Sequence, residues 1–151
     1  MYTFDISKRR YVGGHREYRV ADPTHLVSDL TALDSRHFVS LERDNLQGPA
    51  AEHKKAFVVD TRHGALSKRK VLDQLDIADP ARISLPERPR DFGLGNPFEM
   101  PYQTIEAVLP VGGKELAIVN DTNFGSMGRS PVLPDYSDFI RVRVPGLQGR
   151  R

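Results

Sequence analysis

Apolar and polar positions alternate along this chain in short runs, each closed by turn-forming residues. Alternation of period two predicts half-buried strands, because successive side chains of a strand point to opposite faces. Residues 2–6 alternate through Tyr2, Phe4 and Ile6, and residues 7–10 form a turn. Residues 15–20 alternate again and place Tyr18 and Val20 on one face. Residues 30–33 are apolar and run into the polar turn Asp34, Ser35, Arg36. Residues 38–41 follow at once and end in Glu42, Arg43 and Asp44. Residues 56–60 predict the next strand, turned by residues 62–65. Residues 66–75 read as a further strand running into a short helical turn. Residues 77–101 are rich in proline and carry little period, which predicts a long excursion with one short helix near residues 80–83.

The second half repeats the first. Residues 105–109 match residues 30–33 in type, and Gly112 and Gly113 take the place of the polar turn. Residues 116–119 end in Asn120, Asp121, Thr122 and Asn123, with Val119 lying 78 positions after Leu41. Residues 138–144 echo residues 55–60. The repeated unit predicts an all-β chain of antiparallel four-stranded blade repeats, a partial β-propeller. Its parts are a partial blade (1–20), a full blade (26–75), the proline-rich excursion (77–103) and a second partial blade (104–146). A closed ring takes about four blades or more, so the chain is expected to be the C-terminal portion of a longer propeller, or a small open sheet that self-associates through its edges.

Composition narrows the function classes. There are 22 Lys and Arg against 20 Asp and Glu, for a net charge of +2, and no basic stripe, so nucleic acid is not the expected partner. No apolar run reaches the roughly 18 residues of a membrane span, and the N-terminus shows no apolar signal-peptide region. The absence of cysteine excludes disulfides, thiolate metal sites and a cysteine nucleophile. Eleven prolines and twelve glycines exclude a bundle of long helices.

Candidate chemistry lies where polar groups follow apolar strands. One cluster is Glu42, Arg43, Asp44 and Asn45; the other is Asn120, Asp121, Thr122 and Asn123, with Glu106 on the preceding strand. Carboxylate and amide oxygens gathered at strand ends suit a hard cation such as calcium, and an arginine beside them can hold a phosphate in a bidentate contact. The competing explanation is that Asp and Asn end strands because they favour turns. Glu106, set among Ile105, Ala107, Val108 and Leu109, either needs a partner or sits on a wet strand face. Residues from Asp121 onward fail the EF-hand pattern, since the twelfth position is Val132 and not glutamate. Gly112-Gly113-Lys114 is not a phosphate loop, and Gly125-Ser126-Met127-Gly128 is not a nucleophile elbow. The five histidines, His15, His25, His37, His53 and His63, show no metal-ligand spacing and read as surface residues, with His37 and His63 in turns. Lys68, Arg69 and Lys70 read as a solvated strand edge, with the alternative that Lys68 turns inward.

At these residues the chain resembles the phytase-like (esterase-like activity of phytase) domain family, found mostly in bacteria. The resemblance rests on residues 29–33 leading into 38–44, on 55–60 followed by 66–69, and on 104–109 followed by 116–124, with the tail from Gly128 to Ile140 in the same pattern. The family pattern has an acidic residue where Glu106 stands and an Asp-Asn pair near Asp121. Here the pair is split as Asp121-Thr122-Asn123, and Ala107 replaces a glycine. The resemblance implies a β-propeller from a secreted parent, of which this chain matches the C-terminal half. It also implies hydrolysis of a small phosphate ester or related ester. In that reading calcium is held by Glu42, Glu106 and Asp121. Glu106 and Asp121 carry the catalysis, while Arg43, Asn120 and Asn123 bind substrate. The alternatives are a non-catalytic binding module that recognises its partner through residues 77–101, including Phe98 and neighbouring Tyr102, or a fragment without activity of its own.

Overall fold

The structure, a computed structural model, describes residues 1–62, 65–125 and 128–147. Among the described residues, nine strands form three antiparallel sheets. A hairpin pairs β1 (Thr3–Asp5) with β2 (Arg10–Val12). A four-stranded meander runs β3 (Leu26–Ala32), β4 (His37–Arg43), β5 (Lys54–Asp60), β6 (Ser67–Asp73). A three-stranded meander runs β7 (Ile105–Val111), β8 (Glu115–Asn120), β9 (Phe139–Arg143). The described residues contain no α-helix, and their one helical turn is the 3-10 segment Gly48–Ala50. The all-β expectation is met. The described strands close neither a barrel nor a propeller ring.

The two larger sheets share one core. Val39, Leu41, Ala56 and Val58 from the first sheet pack with Ile105, Val108, Leu116 and Ile118 from the second. In register, Val39 lies opposite Val58 and Leu41 opposite Ala56, so one face of the first sheet is continuously apolar. Side chains also tie β3 to β7. The Ser28 hydroxyl donates to the Ile105 carbonyl at 2.6 Å, and the Val108 amide donates to the Asp29 carboxylate at 2.7 Å. Both strands are bulged at matching places. The register slips between Val27 and Asp29 in β3 and between Ile105 and Ala107 in β7, leaving Ser28 and Glu106 as the extra residues.

Three details differ from the sequence-based expectation. Residues 15–20 join no sheet. Their alternation is real, since Arg16, Tyr18 and Val20 are half-buried and their neighbours exposed. Arg16 exchanges backbone hydrogen bonds with Met1, at 2.9 and 2.6 Å, and beyond it the segment is held by the Tyr18 side chain and the Ala21 amide rather than by a ladder. Second, residues 80–83 are a turn, not a helix. The Asp79 carboxylate accepts from the Ile83 and Ser84 amides and the Ser84 hydroxyl, competing with any helical bonding. Third, Glu42 and Arg43 lie within β4 instead of following it, which decides the direction of each.

The long excursion is packed. Ile77 and Phe98 exchange backbone hydrogen bonds at 3.0 and 2.7 Å, and the Met100 amide donates to the Gln74 carbonyl at 2.8 Å. Buried Arg129 threads it, donating to the Phe92 carbonyl at 2.6 Å, the Glu99 carbonyl at 2.7 Å and the Asp138 carboxylate at 2.8 Å. Its guanidinium lies 4.9 Å from the Phe98 ring centre and 5.3 Å from that of Tyr102. Phe98 and Tyr102, expected at a recognition surface, are both buried.

Candidate functional site

Adjacent residues of a strand face opposite ways, and β4 uses this at its end. Arg43 continues the row of Val39 and Leu41 toward the second sheet. Glu42 continues the row of Phe38 and Ser40 toward the N-terminal segment. Two polar constellations result, one on each face of the first sheet.

On the inner face, Arg43 is buried and its Nη2 lies 3.2 Å from the Glu106 carboxylate, whose side chain is 44% exposed. Its Nη1 donates to the Asn45 carboxamide at 2.8 Å and to the Asp44 carbonyl at 3.3 Å. The bulge explains the pair: as the extra residue of β7, Glu106 turns out of the ladder and into the seam between the sheets. Glu106 thus combines both sequence-based expectations, a partner and a wet face. The Arg43 Nε is buried with no hydrogen-bond partner among the described residues, and Nη2 spends one of its two hydrogens on Glu106 and keeps the other.

At the end of the β7–β8 hairpin, Ile105 pairs with Asn120 and the chain then turns. The Asp121 carboxylate is exposed and accepts from the Asn123 amide at 2.9 Å. Asn123 has φ +46°, a left-handed conformation asparagine tolerates, and its carboxamide donates to the Thr104 hydroxyl at 3.4 Å. Asn120 is buried and accepts from the Asp138 amide at 2.7 Å. Asp121 and Asn123 are therefore used locally, as turn formers. Ser126 and Met127 of the rejected nucleophile motif lie outside the described residues, as does His63.

On the outer face, Glu42 is fully buried beneath the segment that leads into β3. Its Oε2 pairs with the Lys68 ammonium and accepts from the Tyr18 hydroxyl at 3.1 Å. Its Oε1 accepts from the Ala21 amide at 2.9 Å. Burial works to raise the Glu42 carboxyl pKa, but Lys68, the Ala21 amide and the Tyr18 hydroxyl outweigh it and hold the group below its ordinary value. Lys68 reaches this carboxylate by lying over the Phe57 and Tyr18 rings, 4.5 and 4.9 Å from their centres, so it is not a solvated edge residue. Burial also pushes the Tyr18 phenol well above its ordinary value, so it stays a donor.

Two histidines complete this face. His53 Nε2 is 3.1 Å and His25 Nδ1 is 3.6 Å from Glu42 Oε1, and the rings lie 3.9 Å apart. Burial, followed by the charges of Lys55 and His25, pushes the His53 pKa down, against the pull of Glu42 and Asp44. The surface reading of the histidines fails here and at His37, which is buried between Asp34 at 2.8 Å and Asp60 at 3.6 Å. No linear spacing announces the grouping. Leu26 and Lys54 both lie opposite Arg43, so the residues before them, His25 and His53, flank the end of β4 from either side. That register was the available signal, and it needs the strand pairing first.

Of the residues expected from sequence, the structure brings Arg43 to Glu106. Asp121, Asn120 and Asn123 stand at the end of the neighbouring hairpin. It separates Glu42 from Glu106, because Glu106 meets Arg43 on one face of the sheet and Glu42 points to the other. The family model described as phytase-like, esterase-like activity of phytase, matches residues 1–124. No curated protein and no solved structure matches the chain.

Proposed function

Because the chain belongs to the phytase-like family, we propose that it binds and hydrolyses a small phosphate ester at the seam between its two larger sheets. The observation that carries this reading is the Arg43–Glu106 pair, a buried guanidinium against a solvent-open carboxylate. Arg43 supplies fixed positive charge and a spare donor for a phosphoryl group, and it is held in place by Asn45 and the Asp44 carbonyl. In this reading Glu106, half-exposed beside Arg43, takes a proton from the water that attacks the phosphoryl group. Exposed Asp121 and Asn123 lie at the same end of the β7–β8 hairpin as Glu106, where they border the bound ester, while buried Asn120 holds the Asp138 amide beneath them.

Glu106 and Asp121 are exposed carboxylates with the hard oxygen donors that calcium takes. Calcium held there would polarise a phosphoryl oxygen. Glu42, saturated by Lys68, Tyr18 and Ala21 on the far face, is not in this donor set. We further read the two meanders as neighbouring blades of a propeller. Their matching bulges, the contact of β3 with β7 and the 78-residue repeat support it.

The test is hydrolysis of a chromogenic phosphomonoester and a chromogenic carboxylic ester, with and without calcium. Arg43→Ala and Glu106→Gln should each lower kcat/KM for the phosphate ester by about 10²–10⁴, and Glu106→Gln, at a half-exposed side chain, should keep the melting temperature within a few degrees. Equal activity in both variants would sink the reading.

A further inference from the structure

We propose that His25, Glu42 and His53 form a binding site for one first-row transition metal ion, with zinc as the best fit, on the face of the first sheet opposite the Arg43–Glu106 seam. One ligand atom from each residue lies within 4.8 Å of those of the others. All three are buried or nearly so, with the Glu42 side chain 0% and the His53 side chain 9% exposed.

Acceptor arithmetic carries the argument. Glu42 has two oxygens, each with two lone pairs. Lys68 and Tyr18 take Oε2, and the Ala21 amide takes one side of Oε1. One lone pair remains, and two ring nitrogens face it, at 3.1 and 3.6 Å. Neither His53 Nε2 nor His25 Nδ1 has a hydrogen-bond partner among the described residues. A hydrogen bond to Oε1 could satisfy only one of them and would leave the other buried and unpaired. A single cation between the three atoms satisfies all of them.

The spacing agrees with that. Bonds of about 2.0–2.1 Å at the tetrahedral angle set neighbouring ligand atoms about 3.3–3.4 Å apart, between the two distances observed. Imidazole with carboxylate selects zinc or a similar borderline ion rather than calcium. The surroundings also suit a ligand set. Lys68, Tyr18 and Ala21 fix the carboxylate, and three protein ligands leave a fourth position for water. One group must move. The Lys55 ammonium lies 3.3 Å from His53 Nδ1, a nitrogen that carries its proton when Nε2 holds a metal. Lys55 is a flexible, half-buried side chain that can swing to solvent.

The ion would bind His25, in the segment before β3, to Glu42 in β4 and His53 before β5. It would thus clamp the N-terminal segment to the sheet and stabilise the fold by linkage. The test uses the full chain after chelator treatment, titrated with zinc by calorimetry and with cobalt(II) by visible absorption. The expected result is one ion per chain, a tetrahedral cobalt spectrum and a rise in melting temperature. X-ray absorption of the unsubstituted protein should show two imidazoles on zinc, which decides the ligands without any variant. His25→Gln and His53→Gln should each weaken zinc by more than about 100-fold, beyond the loss of an outer partner. His15→Gln, His37→Gln, Glu106→Gln and Asp121→Asn should leave it unchanged, which separates this site from the proposed hydrolytic one. Lys55→Met should tighten it. No saturable binding, a spectrum with no imidazole ligation, or full affinity in the double His25→Gln/His53→Gln variant would overturn the proposal.

Discussion

Lys54 shows how one residue can organise the end of a sheet. It is fully buried, and its ammonium donates to the Asp44 carboxylate at 2.5 Å, the Leu46 carbonyl at 2.8 Å and the Asp44 carbonyl at 3.0 Å. The same carboxylate accepts from the amides of Leu46, Glu52 and His53. The pair therefore folds the loop between β4 and β5 and so places His53 and, through Asn45, Arg43. Removing one partner of a buried pair strands the other charge, so Asp44→Ala should cost about 3–5 kcal/mol in urea unfolding. Burial raises the Asp44 pKa, but Lys54 and the Glu52 and His53 amides win and hold it below its ordinary 3.8. A carboxyl depressed on folding stabilises above its unfolded pKa and loses that contribution as pH falls through the folded one. Asp44→Asn should therefore flatten the acid limb of the stability curve below about pH 3.8 and be most harmful at neutral pH.

At the level of elements, the excursion after β6 illustrates how a stretch without period can still be fixed. Its backbone groups are satisfied by isolated backbone pairs such as Ile77 with Phe98, by scattered carboxylates and by one arginine rather than by a continuous ladder. The Asp135 carboxylate accepts from the amides of Gly128, Arg129 and Ser130, which aims the Arg129 side chain inward. Gly93 has φ +74°, and a Cβ there would stand 2.7 Å from the Cβ of Glu99, so the chain crosses itself only at glycine. Arg129→Ala should open this region selectively. Limited proteolysis should cut residues 85–97 at least about tenfold faster while amides of β4 and β8 keep their hydrogen-exchange protection. Equal cleavage rates would show that the arginine does not hold the excursion. Gly93→Ala should produce the same phenotype more weakly.

For the molecule as a whole, the two larger sheets stand or fall together. Leu41 and Ile118 belong to one buried cluster, so neither sheet has a separate core. Leu41→Ala and Ile118→Ala should each cost about 2–5 kcal/mol, and each variant should melt in a single transition that removes protection from both sheets at once. Two resolved transitions would contradict a shared core. The small β1–β2 hairpin is different. Its Phe4 and Tyr11 rings pack edge to face at 5.2 Å but are exposed, so it should lose protection well before the sheets.

The alternation of side chains was enough to specify the all-β class and eight of the strand neighbourhoods, because period two is a local property of extended backbone. The resemblance carried by the blocks around Glu42, Glu106 and Asp121 led to the family that matches residues 1–124. Sequence could not decide direction or pairing across the chain. Whether Glu42 joins Glu106 or turns away depends on β4 extending to Arg43, since one residue of strand reverses the face. Whether residues 15–20 form a strand depends on an edge being free to accept them; only Arg16 pairs, with Met1, and the rest of the segment is tied to the face of the first sheet through Tyr18 and Ala21. Buried Lys54 and Arg129 look like surface residues in the sequence, and only their distant carboxylates and carbonyls explain why they are inside. The grouping of His25 with His53 arises from strand register, in which residues far apart in sequence become neighbours through hydrogen-bonded pairing that no local pattern records.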